Sequence, residues 1–244
     1  MNTPTIRYFG RGFNFSQDGP GNRLVYHLIG CNFRCPWCSN PECFAADTRT
    51  TERSVTDLCD EILRSRPMFF SGGGVTFTGG EPTLQFEALR ELLVLLKEEN
   101  VHTAMECNAS HRRLPELFPY VDFLMTDLKH PDSETHRRVV GVGNEVTLAN
   151  IRAAAATRQL ALRIPLINGF NTDDGAVEGF LRILSPLERN PAFTVELLPY
   201  HEYGRVKWEQ HHMEYTVKNG FVPPERLAEI RERFHSAGIP LIHT

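Results

Sequence analysis

Hydrophobic and polar positions along this chain switch repeatedly between two periods. Short apolar or β-branched runs recur at Leu24 to Leu28, Val75 to Thr78, His102 to Glu106, Phe123 to Leu128, Leu160 to Ile167 and Phe193 to Leu198, each predicting a strand. Between them lie helical patterns: Val55 to about Arg64, Phe86 to Glu99, Leu114 to Phe118, Val146 to Thr157, Ala176 to Leu184 and Pro224 to Ala237. Ser54-Val55-Thr56-Asp57 offers a helix start, with a hydroxyl N-cap and a carboxylate at the third helical position. Strands alternating with helices predict a parallel sheet covered by helices, and six such units predict an α/β barrel.

The loop after the first of these strands carries the chemistry. Cys31, Cys35 and Cys38 fall within Gly30-Cys31-Asn32-Phe33-Arg34-Cys35-Pro36-Trp37-Cys38. Three thiolates on one loop can hold three irons of a 4Fe-4S cluster and leave the fourth open. Structural zinc is the competing metal, but it usually takes four N or S ligands, and Ser39 follows the third cysteine. Three buried small hydrophobes would follow a packing period, which these do not. Reactive groups of α/β barrels gather at strand C-termini. Gly79-Gly80-Glu81, Glu106, Asp127, Lys129, Arg163 and His201 all stand at or just past expected strand ends. Each has a plainer reading. The glycines can be turns, Asp127 and Lys129 an internal ion pair, and His201 a loop residue. Arg163 sits in the apolar run Ala161 to Pro165, where burial without an anionic partner is costly.

Composition fits one enzyme core of 244 residues, expected as a single domain over 1–244. A net charge of -4 without a basic run excludes a nucleic-acid footprint. Met1 to Thr5 lacks the start of a signal peptide, and no run approaches the roughly 18 apolar residues of a membrane span. A cytoplasmic location follows as the expectation. Six cysteines are too few for a disulfide scaffold and suit a reducing compartment. Cys43 and Cys59 are expected to be non-ligands.

The cysteine loop resembles the C-x3-C-x-aromatic-C signature of radical S-adenosylmethionine (SAM) enzymes, with Trp37 as the aromatic. Thr78-Gly79-Gly80-Glu81-Pro82 is similar to that family's GGEP segment. Asp18-Gly19-Pro20-Gly21-Asn22-Arg23 resembles the DGPGxR stretch of one branch, the activating enzymes of glycyl radical enzymes, and the likeness continues through Asp127-Leu128-Lys129, Arg163 and Leu197 to Glu202. The resemblance implies a partial, open (β/α)6 barrel, one 4Fe-4S cluster, and SAM bound by Gly79, Gly80, Glu81, Asp127, Lys129, Arg163 and His201. It implies reductive SAM cleavage and removal of a hydrogen atom from a backbone glycine of a partner protein. Asp18 is the candidate for holding that peptide, or it serves only its own turn. A flavodoxin or ferredoxin-type reductant, a monomeric state and anaerobic life are the further expectations. No ferredoxin-like insertion with more cysteine groups occurs.

Two departures border the expected cleft. Pyruvate formate-lyase activating enzymes have histidine where this chain has Ser39, and Asp-Thr where it has Glu106-Cys107. In that branch the Asp-Thr pair, with a carbonyl matched here by Met125, binds Na+ or K+ beside SAM. Glu106 keeps a hard oxygen, but a thiol replaces a hydroxyl poorly toward such a cation. A radical SAM enzyme for a small molecule, and a non-catalytic iron-sulfur protein, remain the rival readings.

Overall fold

The computed structural model describes residues 4–15, 17–157 and 159–242, so Met1 to Thr3 of the N-terminal stretch lie outside the described residues. The chain forms two compact units. The first comprises Met1–Asn32, Asn40–Cys107 and Arg113–Met125, and the second Phe33–Ser39, Asn108–Arg112 and Thr126–Thr244.

In the first unit the strands are β1 (Thr5–Phe15), β2 (Asn22–Leu28), β3 (Thr51–Ser54), β4 (Gly74–Gly79) and β5 (Thr103–Cys107), in the order β3-β1-β2-β4-β5. Strand β1 pairs antiparallel with β2 and β3, while β2, β4 and β5 run parallel. Two helices follow strands, α1 (Val55–Arg64) and α2 (Phe86–Glu98). Ser54 caps α1, its hydroxyl accepting from the Asp57 N–H at 3.1 Å, as the sequence predicts. On α2, Leu89, Leu92, Leu93 and Leu96 are fully buried. Burying a leucine contributes about 1.5–3 kcal/mol, against propensity differences below about 1 kcal/mol, so burial decides that helix.

Strand β6 (Phe123–Asp127) passes from the first unit into the second. The second unit then builds α3 (Ser133–Val140), α4 (Glu145–Thr157), β7 (Leu160–Leu166), α5 (Asp174–Leu184), β8 (Phe193–Pro199), α6 (Arg205–Gln210), α7 (Pro224–Ser236) and β9 (Leu241–Ile242). Strands β7, β8 and β9 are parallel neighbours. Their inward residues, among them Leu162, Ile164 and Val195, are fully buried, as are Phe180 of α5 and Phe234 of α7.

Each strand expected from the sequence is present within two residues of its expected ends. The segment expected as a helix at Leu114 to Phe118 is a 3-10 helix over Leu114–Tyr120. Proline at its first turn and Pro119 inside it withhold the N–H groups an α-helix needs. Strands β1, β3 and β9 and helices α3 and α6 have no counterpart in the sequence expectations. In β1 the inward alternation Ile6, Tyr8 breaks at a register shift between Tyr8 and Gly10, which hides the period.

Candidate active site

In the first unit, three segments lock together by backbone contacts. The Gly30 N–H donates to the Cys43 carbonyl at 2.8 Å, and the Glu81 N–H donates to the Gly30 carbonyl at 2.7 Å. The start of the cysteine loop is thereby hung on the end of β4. A side chain at Gly80 would collide with the Gly30 carbonyl and lie 2.9 Å from Cβ of Cys43, so glycine is required there for close approach. Glu81 is buried, and its Oε1 accepts from the Thr83 N–H at 3.0 Å and from the Thr83 hydroxyl, capping the 3-10 helix Pro82–Gln85. Glu106 accepts from the Thr78 hydroxyl at 2.9 Å, and Met125 is fully buried.

The turn at Asp18 to Gly21 is held from beneath. Arg23 is fully buried, donating from Nε to the Thr76 hydroxyl at 3.0 Å and from Nη1 to the Pro20 carbonyl at 3.4 Å. It also donates to the Val75 carbonyl and lies 3.0 Å from Nδ1 of His102. The Thr76 hydroxyl in turn donates to the Asp18 carbonyl at 2.7 Å, and the Asp18 carboxylate accepts from the Asn14 amide. Burial draws the Arg23 guanidinium down to about 10, against the pull of Asp122 and Asp18. Burial, then the Arg23 charge, lowers His102. Gly21 adopts φ 70° and leaves no room for a Cβ against the Gly72 and Gly73 backbone, so the turn can be tight only with glycine.

The second unit holds Cys35, Trp37, Cys38, Asp127, Lys129, Arg163 and His201. The cysteine loop here is braced by groups far away in sequence. The Arg34 N–H donates to the Val140 carbonyl at 2.9 Å, and the Trp208 indole Nε1 donates to the Cys38 carbonyl at 2.9 Å. Gly204 packs against the same Cys38 carbonyl. The Trp37 ring lies 4.8 Å from Phe170, which lies 5.0 Å from His130. Lys129 pairs with Asp127 at 2.9 Å. Burial opposes its charge, but Asp127 and the nearby Cys35 and Cys38 outweigh that and raise it. Asn171, fully buried, donates to the Lys129 and Pro165 carbonyls at 2.8 and 2.7 Å, tying the Lys129 segment to the end of β7.

Arg163 is paired directly with Glu196 of β8 at 2.9 Å, in strand register, so its charge is balanced inside the sheet. His201 is exposed and stacks on Tyr203 at 4.3 Å. The sequence reading missed Trp208, Gly204, Asn171 and Glu196. Only the run Leu197 to Glu202 pointed toward that region, and it stops short of Trp208.

The donor set suits an iron-sulfur cluster. Cys31, Cys35 and Cys38 offer soft sulfur ligands on a loop whose backbone is fixed from outside. Among the described residues, no three His, Cys, Asp or Glu side chains gather as around one ion. Thiolates each bound to a different iron stand farther apart.

A thiol loop on a strand end, followed by repeated strand-helix units, is the arrangement of the Radical SAM superfamily, whose family model matches residues 25–178; the chain belongs to that superfamily. Within it, the relatives are specific. The chain is 31% identical to a 4-hydroxyphenylacetate decarboxylase activating enzyme of Clostridioides difficile (strain CD196), over 91% of each chain. It is 32% identical to a pyruvate formate-lyase-activating enzyme of Staphylococcus aureus (strain USA300), over 89% of this chain and 90% of the relative. A solved domain of a pyruvate-formate lyase-activating enzyme from Bacteroides vulgatus superposes with a TM-score of 0.57 at 31% identity, covering 70% of this chain and 98% of that one. The fold is therefore the α/β fold of radical SAM enzymes, a partial, open (β/α)6 barrel. No helix among the described residues is long and apolar enough to cross a membrane.

Proposed function

We propose that this protein is a glycyl radical enzyme activating enzyme, which cleaves SAM reductively and removes a hydrogen atom from a backbone glycine of a partner protein. The observation that carries this reading is near full-length similarity to named activating enzymes, in a chain that also holds an Asp18 to Gly21 turn fixed from below by Arg23 and Thr76. Cys31, Cys35 and Cys38 would hold one 4Fe-4S cluster. When bound, the cluster and SAM supply reductive carbon-sulfur cleavage and hydrogen-atom abstraction.

The chain's own residues bind and orient. Gly79, Gly80 and Glu81 present backbone and carboxylate to the SAM amino group. The Asp127–Lys129 pair, Arg163, His201 and the Trp37 ring take its remaining parts. Asp18 holds the backbone of the incoming glycine segment. Glu106 and the Met125 carbonyl are the ligands for Na+ or K+. The reductant is a flavodoxin or ferredoxin-type protein, and the enzyme works in the cytoplasm of an anaerobic cell as a monomer.

The test is anaerobic reconstitution followed by incubation with SAM, reductant and partner. A protein radical should form whose paramagnetic resonance doublet collapses when the partner's glycine Cα is deuterated. Alanine at Cys31, Cys35 or Cys38 should abolish both cluster and SAM cleavage. Transfer of deuterium into 5'-deoxyadenosine from a small molecule instead of a protein would replace this reading with the small-molecule one.

A further inference from the structure

The distal part of the β1–β2 hairpin is unusually apolar for a surface. Phe13, Phe15, Met68 and Phe70 are 44%, 70%, 47% and 70% exposed. Phe13 and Phe15 are two apart on β1 and share one face. The ring of Phe13 lies 6.5 Å from that of Phe69, in the turn that carries Met68 and Phe70. Asn22, directly opposite Phe15 in the hairpin register, donates to the Met68 carbonyl at 2.7 Å. The end of the hairpin and the segment of Met68 to Phe70 thus lie against each other.

Phe70 has φ 51°. A bulky residue in the left-handed region is strained, and glycine or asparagine would serve a mere turn there at less cost. Here the strained backbone presents a large aromatic ring to solvent. Folding gains nothing from that choice, whereas an aromatic anchor at an interface does.

The patch is continuous with the Asp18 to Gly21 turn: β1 runs into it, and Gly21 packs on the backbone of Gly72 and Gly73, just past Phe70. We infer that Phe13, Phe15, Met68 and Phe70 form the docking surface for the folded body of the partner enzyme, outside the glycine segment itself. This rests on the activating-enzyme reading. A peptide segment held at Asp18 brings the body that bears it against the neighbouring rim. A rim of aromatic and Met side chains fits an apolar, uncharged counterpart.

The experiment compares three substrates of one enzyme: SAM alone, a short peptide carrying the partner's glycine segment, and the whole partner. Phe70→Gly relieves the strain, so its melting temperature should equal or exceed that of the wild type. Uncoupled SAM cleavage and peptide activation should stay unchanged. The KM for the whole partner should rise about tenfold, and further in Phe15→Ser combined with Phe70→Gly, as expected when interface anchors are lost. An unchanged KM for the whole partner in the double variant overturns the inference. So does a concentration-dependent wild-type dimer that the double variant abolishes while that KM stays constant, since the patch would then cover a second copy. Wild-type enzyme that cleaves SAM but radicalises neither peptide nor partner fails at the earlier step and overturns the activating-enzyme reading itself.

Discussion

Arg23 is fully buried, and its hydrogen-bond partners among the described residues are carbonyls, the Thr76 hydroxyl and His102 rather than a carboxylate. Such an arrangement holds only while His102 stays neutral and offers Nδ1 as acceptor. A proton there would set two cations 3.0 Å apart, with Asp122 and Lys97 the other charges acting on the ring. Because the folded state lowers His102, the unfolded chain binds a proton more readily. The stability it contributes is present above the unfolded value near 6.5 and is lost as pH falls through the lower folded value. Urea unfolding at constant ionic strength should therefore show stability falling as the pH drops below about 7. His102→Gln, which keeps an acceptor but cannot titrate, should flatten that slope. An identical slope in the variant would refute the neutral-acceptor role. His130 and His136 are also lowered by burial, so the comparison is of slopes and not of absolute stability.

At the scale of elements, legibility followed periodicity. Segments buried on both sides, such as β4 and β7, or on one regular face, such as α2, stood out in the sequence. Elements whose reason lies elsewhere in the chain did not. Helix α6 has six residues and none buried, and no pattern in Arg205–Gln210 marks it. Its role is to place the Trp208 indole on the Cys38 carbonyl, a contact across 170 positions. In the same way Arg163 looked like a ligand-seeking charge until β8 supplied Glu196 beside it. Glu81 likewise has a local task, capping the turn after β4, that the GGEP pattern does not reveal. The α6 contact yields a prediction. Trp208→Phe keeps most of the packing and removes one N–H donor from a partly buried carbonyl, which should cost about 1 kcal/mol. The reconstituted variant should lose its visible cluster absorbance to a chelator faster than the wild type, while far-ultraviolet circular dichroism is unchanged. Equal rates would show that the loop is fixed without the indole.

Across the whole molecule, six cysteines divide by environment. Cys31, Cys35 and Cys38 share a loop held by backbone contacts, while Cys43, Cys59 and Cys107 are 2%, 6% and 3% exposed and sit in separate structural elements. Cys43 closes the turn whose carbonyl receives Gly30, and Cys59 lies on the buried stripe of α1 with Val55, Leu58 and Ile62. Burial raises the Cys59 thiol, the opposite of what a metal ligand needs. These three therefore behave as small core residues. Replacing Cys43, Cys59 and Cys107 together by alanine should lower unfolding free energy by about 1 kcal/mol per site through lost packing. Iron and sulfide per chain, and the rate of SAM cleavage, should match the wild type. A drop in iron content in this triple variant, with secondary structure intact, would mean that one of the buried thiols binds the cluster. A cluster whose fourth iron also carries a protein thiolate has no iron left open for SAM, so such a result would also remove the open site on which the proposed chemistry depends.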